Sequence, residues 1–364
     1  MKNLFMKFFK VPFYIVGIIL IMLSIMSAYG GQYIDPNIMA YPSILKLAFP
    51  LFAVLLFVIG VVALLLKSRF MVILSIVAIA VCWPAIKSIC PLNIPEADEP
   101  EDGFSLLDYN VYYGIDRECD SLDYSRSMSY VINSGADIVC LQEQYALETK
   151  VNDKFTKAQI DSLRKIYPYI VDGNTIDVMM LSKYPVKRLQ VEIPKDLQYF
   201  FYDVYEVSVG ERIVTIVNLH LSSYDLDVDE RNVVEEMRSL EDVKQGTKEF
   251  QTSLIAKLSK AFRMRAKAAE TIRDYIDGIE GDMVVCGDFN DVVDSWAYRV
   301  IAGEDMKDAY LEAGFGPLAT YNAHNLYFNI DHILYRGKLK AVNFEKGNIK
   351  SSDHYPIFAN FAFC

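Results

Sequence analysis

Three long apolar runs crowd the first quarter of the chain, at Val11 to Gly30, Ser43 to Leu66 and Phe70 to Ile89. No other feature limits the fold more. Each run is about 20 residues or longer, enough for a helix to cross a hydrocarbon core of roughly 30 Å. Only Lys46 and Lys87 put charge inside them, each near an end. A signal peptide would account for the first run alone, and no small-residue cleavage site leading into soluble sequence follows it. Three transmembrane helices are therefore expected within residues 1–90. Lys2, Lys7 and Lys10 precede the first run, residues 31–42 hold neither Lys nor Arg, and Lys67 and Arg69 sit between the second and third. The positive-inside rule places the N-terminus and that last turn in the cytoplasm. An odd number of spans then sends the rest of this multi-pass cell-membrane protein to the extracytoplasmic side.

Residues 91–102, rich in Pro, Glu and Asp, read as a solvated linker. Residues 103–364 form the remaining domain. Of the chain's 36 Lys+Arg and 47 Asp+Glu, 29 and 43 lie beyond position 100, a formal charge of −14 there. So acidic a domain has no bulk attraction for a polyanion, and phosphate chemistry in it must use local cations or bound metal. The six cysteines show no C-x-x-C or other metal-type spacing and are read as structural.

Within this domain several short apolar runs stop abruptly in polar residues, the pattern of buried strands delivering groups to a sheet edge. Met283 to Gly287 ends in Asp288-Phe289-Asn290-Asp291; alone, Asp288 and Asn290 are better read as closing a turn. Phe104 to Val111 carries Asn110, and Ala136 to Leu141 delivers Gln142 and Glu143. Paired strands over Phe200 to Val209 and Arg212 to Leu219 end at His220. Further on, Asp331 stands in Asn329 to Tyr335, and Asp353-His354 precedes Tyr355-Pro356-Ile357. Helical spacing is expected over 124–134, 156–166, 254–276 and 295–301, with a charged, mostly helix-compatible stretch over 224–260 that reads as a solvated helical insertion or, functionally, as a lid or a face that touches the membrane. Strands alternating with helices, and strands paired in sequence, suggest a two-layered sheet core covered by helices.

Six strand ends thus supply Asn110, Glu143, His220, Asp288 with Asn290, Asp331, and Asp353 with His354, and no suitable serine or cysteine nucleophile accompanies them. Hard oxygen ligands suit Mg²⁺ or Mn²⁺. Such equipment fits metal-assisted attack of water on a phosphate ester.

In order, YNV at 109–111, LQE at 141–143, LSKYPV at 181–186, NLHL at 218–221, GDFND at 287–291, IDHIL at 330–334 and SDHYPI at 352–357 resemble the endonuclease/exonuclease/phosphatase superfamily, the DNase I-like group. The resemblance covers residues 103–364. It implies an α/β, four-layered sandwich of two mostly antiparallel sheets flanked by helices, here preceded by the three transmembrane helices. It further implies Glu143 as principal metal ligand with Asp353 as another, and Asn110 as a neighbour holding metal or phosphate. Asp288 would orient or deprotonate the water, and Asn290 would fix a phosphate oxygen. His354 matches the catalytic histidine, with Asp331 accepting from its far nitrogen, and His220 matches a second phosphate-contacting or acid/base histidine.

Two departures bear on substrate recognition and on any second metal. Asp177-Val178-Met179-Met180 replaces a small-residue stretch before LSKYP, and Tyr112 stands where an acidic residue is common. Arg265 and Lys267 lack the Gln that completes the usual Arg-x-x-Gln pattern and are left out of the site. The expectation is a membrane-anchored, Mg²⁺-dependent phosphoesterase acting on a phosphodiester. Acidity and anchor favour a small or lipid-borne ester over duplex DNA. A nuclease, or a catalytically silent binding module on the same scaffold, are the alternatives.

Overall fold

The computed structural model describes residues 2–94, 102–118, 124–144, 147, 155–172, 177–194, 197, 200–224, 248–323 and 327–364, with backbone alone for 2–9 and 248–253. Four helices open the chain: α1 (Lys2–Tyr33), α2 (Tyr41–Leu47), α3 (Phe49–Leu65) and α4 (Arg69–Ile89). Two stretches, Lys10–Tyr33 and Arg69–Ile89, are long and apolar enough to cross a membrane, with mean hydropathy of 2.3 and 2.2. The second expected span is instead broken: α2 and α3 meet at 67°. Pro50, which lacks an N–H and disfavours helical geometry in the residue before it, falls in the first turn of α3 just beyond the break. The count is therefore two spans, or three if the bent pair acts as one.

From Gly103 onward twelve strands occur among the described residues, in two six-stranded sheets. One holds β1 (Gly103–Asn110), β2 (Ile138–Gln142), β3 (Tyr169–Asp172), β4 (Val178–Ser182), β11 (Leu339–Lys346) and β12 (Ile357–Phe363), in the order β11-β12-β1-β2-β4-β3. The other holds β5 (Val186–Arg188), β6 (Phe201–Val209), β7 (Arg212–His220), β8 (Asp282–Asp288), β9 (Lys307–Asp308) and β10 (Asp331–Arg336), in the order β5-β6-β7-β8-β10-β9. Each sheet has one parallel pair at its centre, β1 with β2 and β7 with β8, between antiparallel neighbours.

Strand periodicity explains the layering. Leu106 in β1, Cys140 in β2, Ile216 in β7, Cys286 in β8 and Ile333 in β10 meet in the core between the sheets. Their odd-numbered neighbours Leu107 and Val139 face α5 (Arg126–Asn133) and α6 (Lys157–Ile166). Val217 and Val285 face α7 (Lys248–Asp277) and α8 (Trp296–Ala302). The expected four-layered sandwich is present. By the same alternation Asn110, Gln142, Asn218, His220, Asp288 and, in β10, Asp331 turn into the gap between the sheets, where the apolar core ends.

Two neutral amides lock the sheets just beneath that edge. Buried Gln142 donates to Asp108 Oδ1 at 2.8 Å and to Asn218 Oδ1 at 2.7 Å, and Asn218 donates to the carbonyls of Leu141 and Met179. A buried polar bridge of this kind favours one register, because a shifted strand would break these hydrogen bonds.

The linker begins tied down: Asn93 donates to the carbonyls of Leu311 and Gly314, and the Gly316 N–H to that of Pro91. Residues 95–101 lie outside the described residues, as do Cys119 and residues 225–247 of the charged insertion. From Lys248 the chain is one helix through to Asp277, longer than expected at its start.

Candidate active site

Asp288 occupies the last position of β8, fully buried, and its carboxylate is the hub of the site. Oδ1 accepts from the Asn290 N–H at 2.7 Å. Around Oδ2 stand Asn110 Nδ2 at 3.1 Å, His354 Nε2 at 3.5 Å and His220 Nε2 at 3.6 Å. Each imidazole is backed by a further carboxylate. His354 Nδ1 lies 3.0 and 2.9 Å from the two oxygens of Asp331, and His220 Nδ1 lies 2.6 Å from Asp177 Oδ2.

Burial disfavours a charged imidazole, but the flanking carboxylates overcome it. For His220 the opposition comes from Asp177, then Asp288 and Glu143, and its pKa is pushed up to about 10. For His354 it comes from Asp331 and Asp288, and the pKa is raised well above the usual histidine value. Burial likewise raises Asp288 against the lowering influence of both histidines. The result is a buried carboxyl group with two imidazoles beside one of its oxygens, both biased toward their protonated form.

Glu143 follows β2 with φ +51°, and Asn290 has φ +51° as well. Non-glycine residues in this region carry strain, which persists where surrounding contacts fix it. Here Asn110 Nδ2 reaches Glu143 Oε1 at 3.2 Å as well as Asp288, so one amide gauges the separation of the two acids. Asn290 Nδ2 donates to the Leu221 carbonyl at 2.8 Å, which leaves its second N–H directed elsewhere. Thr320 Oγ1 accepts from the N–H groups of Ile330 and Asp331, and the Tyr321 ring stands edge-on to His354 with centroids 5.2 Å apart.

All eight residues expected from sequence lie at this end of the sheets. Asp353 is the least engaged: it is half-buried beside His354, and its charge acts on both Glu143 and His354. Among the described residues, Asp288, Asp331 and His354 offer ligand atoms within 4.8 Å of one another. His354 already spans both carboxylates in that trio, so its nitrogens are engaged. The donor set as a whole nevertheless fits a divalent cation. Five carboxylates, Glu143, Asp177, Asp288, Asp331 and Asp353, face two histidines, and burial raises the Glu143 carboxyl above its usual range. Buried negative charge in excess of its partners is a strong attraction for a cation.

Two residues were not assigned to the site from sequence. Asp177 stands in the sequence only as part of a departure from the motif pattern, yet it orients His220; the available signal is its place one residue before buried β4. Arg265 is completely buried. It donates to the Ser222 carbonyl at 3.1 Å, lies 3.4 Å from Asp291 Oδ2, and is covered by the rings of Tyr224 and Phe262. It positions the loop that follows Asp288 through Asp291.

The sequence profile described as the Endonuclease/Exonuclease/phosphatase family matches residues 109–354, from β1 to His354. The chain belongs to this family. A second profile, for a domain of unknown function, matches residues 7–89. No curated protein matches the chain. Similar solved structures include an endonuclease/exonuclease/phosphatase from Beutenbergia cavernae, 14% identical, covering 72% of this chain and 72% of that one with a TM-score of 0.50. Truncated TDP2 from Caenorhabditis elegans is 22% identical over 73% of this chain and 100% of its own, with a TM-score of 0.47. A family member from Bacteroides vulgatus is 20% identical over 72% and 100%, also at 0.47. At these identities the likeness is one of fold.

A linkage prediction follows from the His220–Asp177 pair. A histidine pKa raised on folding contributes stability that is fully present below the unfolded value of about 6.5 and is lost as pH rises through about 10. In EDTA-treated protein, wild type should therefore melt above Asp177→Asn by a margin largest near pH 6 and shrinking toward pH 10. A margin that widens with pH would contradict the pairing.

Proposed function

We propose that the protein is a membrane-anchored phosphoesterase, dependent on Mg²⁺ or Mn²⁺, that hydrolyses a phosphodiester by attack of water on the extracytoplasmic side. The observation that carries this reading is the convergence of Asn110, His220 and His354 on one oxygen of Asp288 within 3.1 to 3.6 Å. A binding surface has no need of a buried carboxyl group with two imidazoles beside one of its oxygens, each oriented by its own aspartate.

In this reading Asp288 aligns the attacking water and takes its proton, with its other oxygen fixed by the Asn290 N–H. The free N–H of Asn290 holds a phosphoryl oxygen. Protonated His354, kept charged by Asp331, stabilises charge developing on the phosphoryl group, and His220, beside the same Asp288 oxygen, does the same. Glu143, with Asp353 beside it, holds the cation, while Asn110 keeps Glu143 and Asp288 in register. When bound, the ion supplies Lewis-acid stabilisation of the phosphoryl oxygen and leaving group. A domain charge of −14 works against duplex DNA as substrate.

The test is turnover of bis-p-nitrophenyl phosphate by the full-length protein in detergent. Activity should require added Mg²⁺ or Mn²⁺ and vanish in EDTA. Glu143→Ala should raise the metal concentration needed by about tenfold or more, a loss at least as large as that seen for outer-shell partners. Equal turnover with and without EDTA, unchanged in Glu143→Ala, would sink the metal-dependent mechanism. An alkaline phosphatase fusion at the C-terminus tests sidedness and should be active.

A further inference from the structure

Where the bent α2–α3 pair meets the sandwich there is a cavity of about 550 Å³, within the range of small-molecule sites. One wall comes from the membrane helices: Phe49, Ala53, Val54 and Phe57 of α3, with Lys46 at the end of α2. Val54 and Phe57 are also 59% and 47% exposed on the outside of the helix bundle, so the cavity borders the surface that lipid covers. The facing wall is catalytic-domain loop, including Val293, Leu318 and Asn329.

Both of those loops also build the active site. Val293 follows Asp288 and Asn290 in the same segment. In the other, Leu318 and Asn329 face the cavity, while Thr320 anchors the N–H of Asp331 and Tyr321 packs on His354.

We propose that this cavity receives the aliphatic chain of a lipid-borne phosphate ester, which makes the substrate an amphiphilic phosphodiester drawn from the membrane. The proposal rests on the phosphoesterase reading above and narrows it. Three observations favour this occupant. Apart from Lys46 the lining bears no charge, and most of it is apolar, which suits a hydrocarbon chain. Lys46 is itself buried, with its ammonium donating to the Ala28 carbonyl at 3.1 Å and 5.2 Å from the Phe49 ring centre. No carboxylate lies within ion-pair distance of it among the described residues, Asp291 and Asp294 acting on it only from farther off, so a positive charge there has the sign to attract an anionic amphiphile. On the catalytic side the lining reaches Asn329, two residues before Asp331 in the chain, so the cavity borders the loop that leads into β10.

The experiment uses the full-length protein in one detergent with Mg²⁺ and a series of p-nitrophenyl alkyl phosphates from methyl to octyl. Burial of each methylene is worth about 0.8 kcal/mol, so kcat/KM should climb roughly fourfold per added carbon over the first few. Val54→Trp, which fills the cavity from an exposed helix position, should flatten that climb and leave bis-p-nitrophenyl phosphate turnover unchanged. Phe57→Trp provides the same reading should Val54→Trp fold poorly. A flat series in an active wild type overturns the proposal and leaves the phosphoesterase reading standing. An equally steep series in wild type and both variants also overturns it, because partition into micelles then explains the climb. Absence of turnover for every ester overturns the phosphoesterase reading and this one with it.

Discussion

Replacing His354 with alanine is expected to lower bis-p-nitrophenyl phosphate turnover by about two to four orders of magnitude. Two effects combine in that loss. The ring is the direct link between Asp331 and Asp288, at 2.9 and 3.5 Å, so in the proposed mechanism its removal takes away positive charge beside the phosphoryl group. It also leaves two buried aspartates near each other without the cation that separates them, which favours protonation of Asp288 and disables it as a base. The comparison with Asp331→Asn separates charge from position. Asp331 acts through His354, so that variant should keep measurable turnover, with the alkaline limb of its pH profile moved to lower pH because the imidazolium has lost its strongest support. A loss under about fivefold in His354→Ala, in protein with an unchanged melting transition, would place the ring outside the chemistry.

The second large effect concerns the fold beneath the site. Gly287 sits on β8 with φ +139°, and a Cβ built there would lie 1.9 Å from the Leu219 carbonyl oxygen and 2.8 Å from its carbon. Leu219 is its partner in the parallel β7–β8 ladder, so neither strand can yield without opening the pair that carries His220 and Asp288. Gly287→Ala is therefore expected to cost more than about 4 kcal/mol, a value reached by few single substitutions, and to abolish cooperative unfolding of the domain. Gly281→Ala is the control. It has φ +98° with nothing within 4 Å of the added carbon, so only backbone strain of about 1–3 kcal/mol applies. Equal stabilities of the two variants, measured by thermal melting in detergent, would show that the close approach to Leu219 is relieved at little cost.

Much of the sandwich and of the site's membership was legible because buried strands announce themselves by apolar runs that end in polar residues. Asn110, Glu143, His220, Asp288, Asp331 and His354 all mark such ends, and alternation along the strands turns most of them into one gap. What could not be read depended on contacts between distant segments. Asp177 carries no motif, and its tie to His220 exists only once β4 and β7 lie in facing sheets. Arg265 lost its expected companion Gln, yet its burial against Tyr224 and Phe262 gives it a fixed place on Asp291. The break at Ala48 was hidden because hydropathy averages over a window and does not register how Pro50 interrupts a helix.

The shared strand pattern of the two sheets adds one more property. Asp177 lies just before β4 and Asp331 opens β10, equivalent strands of the two sheets, and each aspartate orients one of the two histidines that face Asp288. Asn110 to Asp288, Asp177 to His220 and Asp331 to His354 each join one residue from either sheet. The candidate site is thus a vernier read across the sandwich. A shift of one sheet against the other by a single residue's rise, about 3.3 Å, would part all three contacts together, so turnover should switch off whole when the sheets lose their seating, without passing through a weakened form.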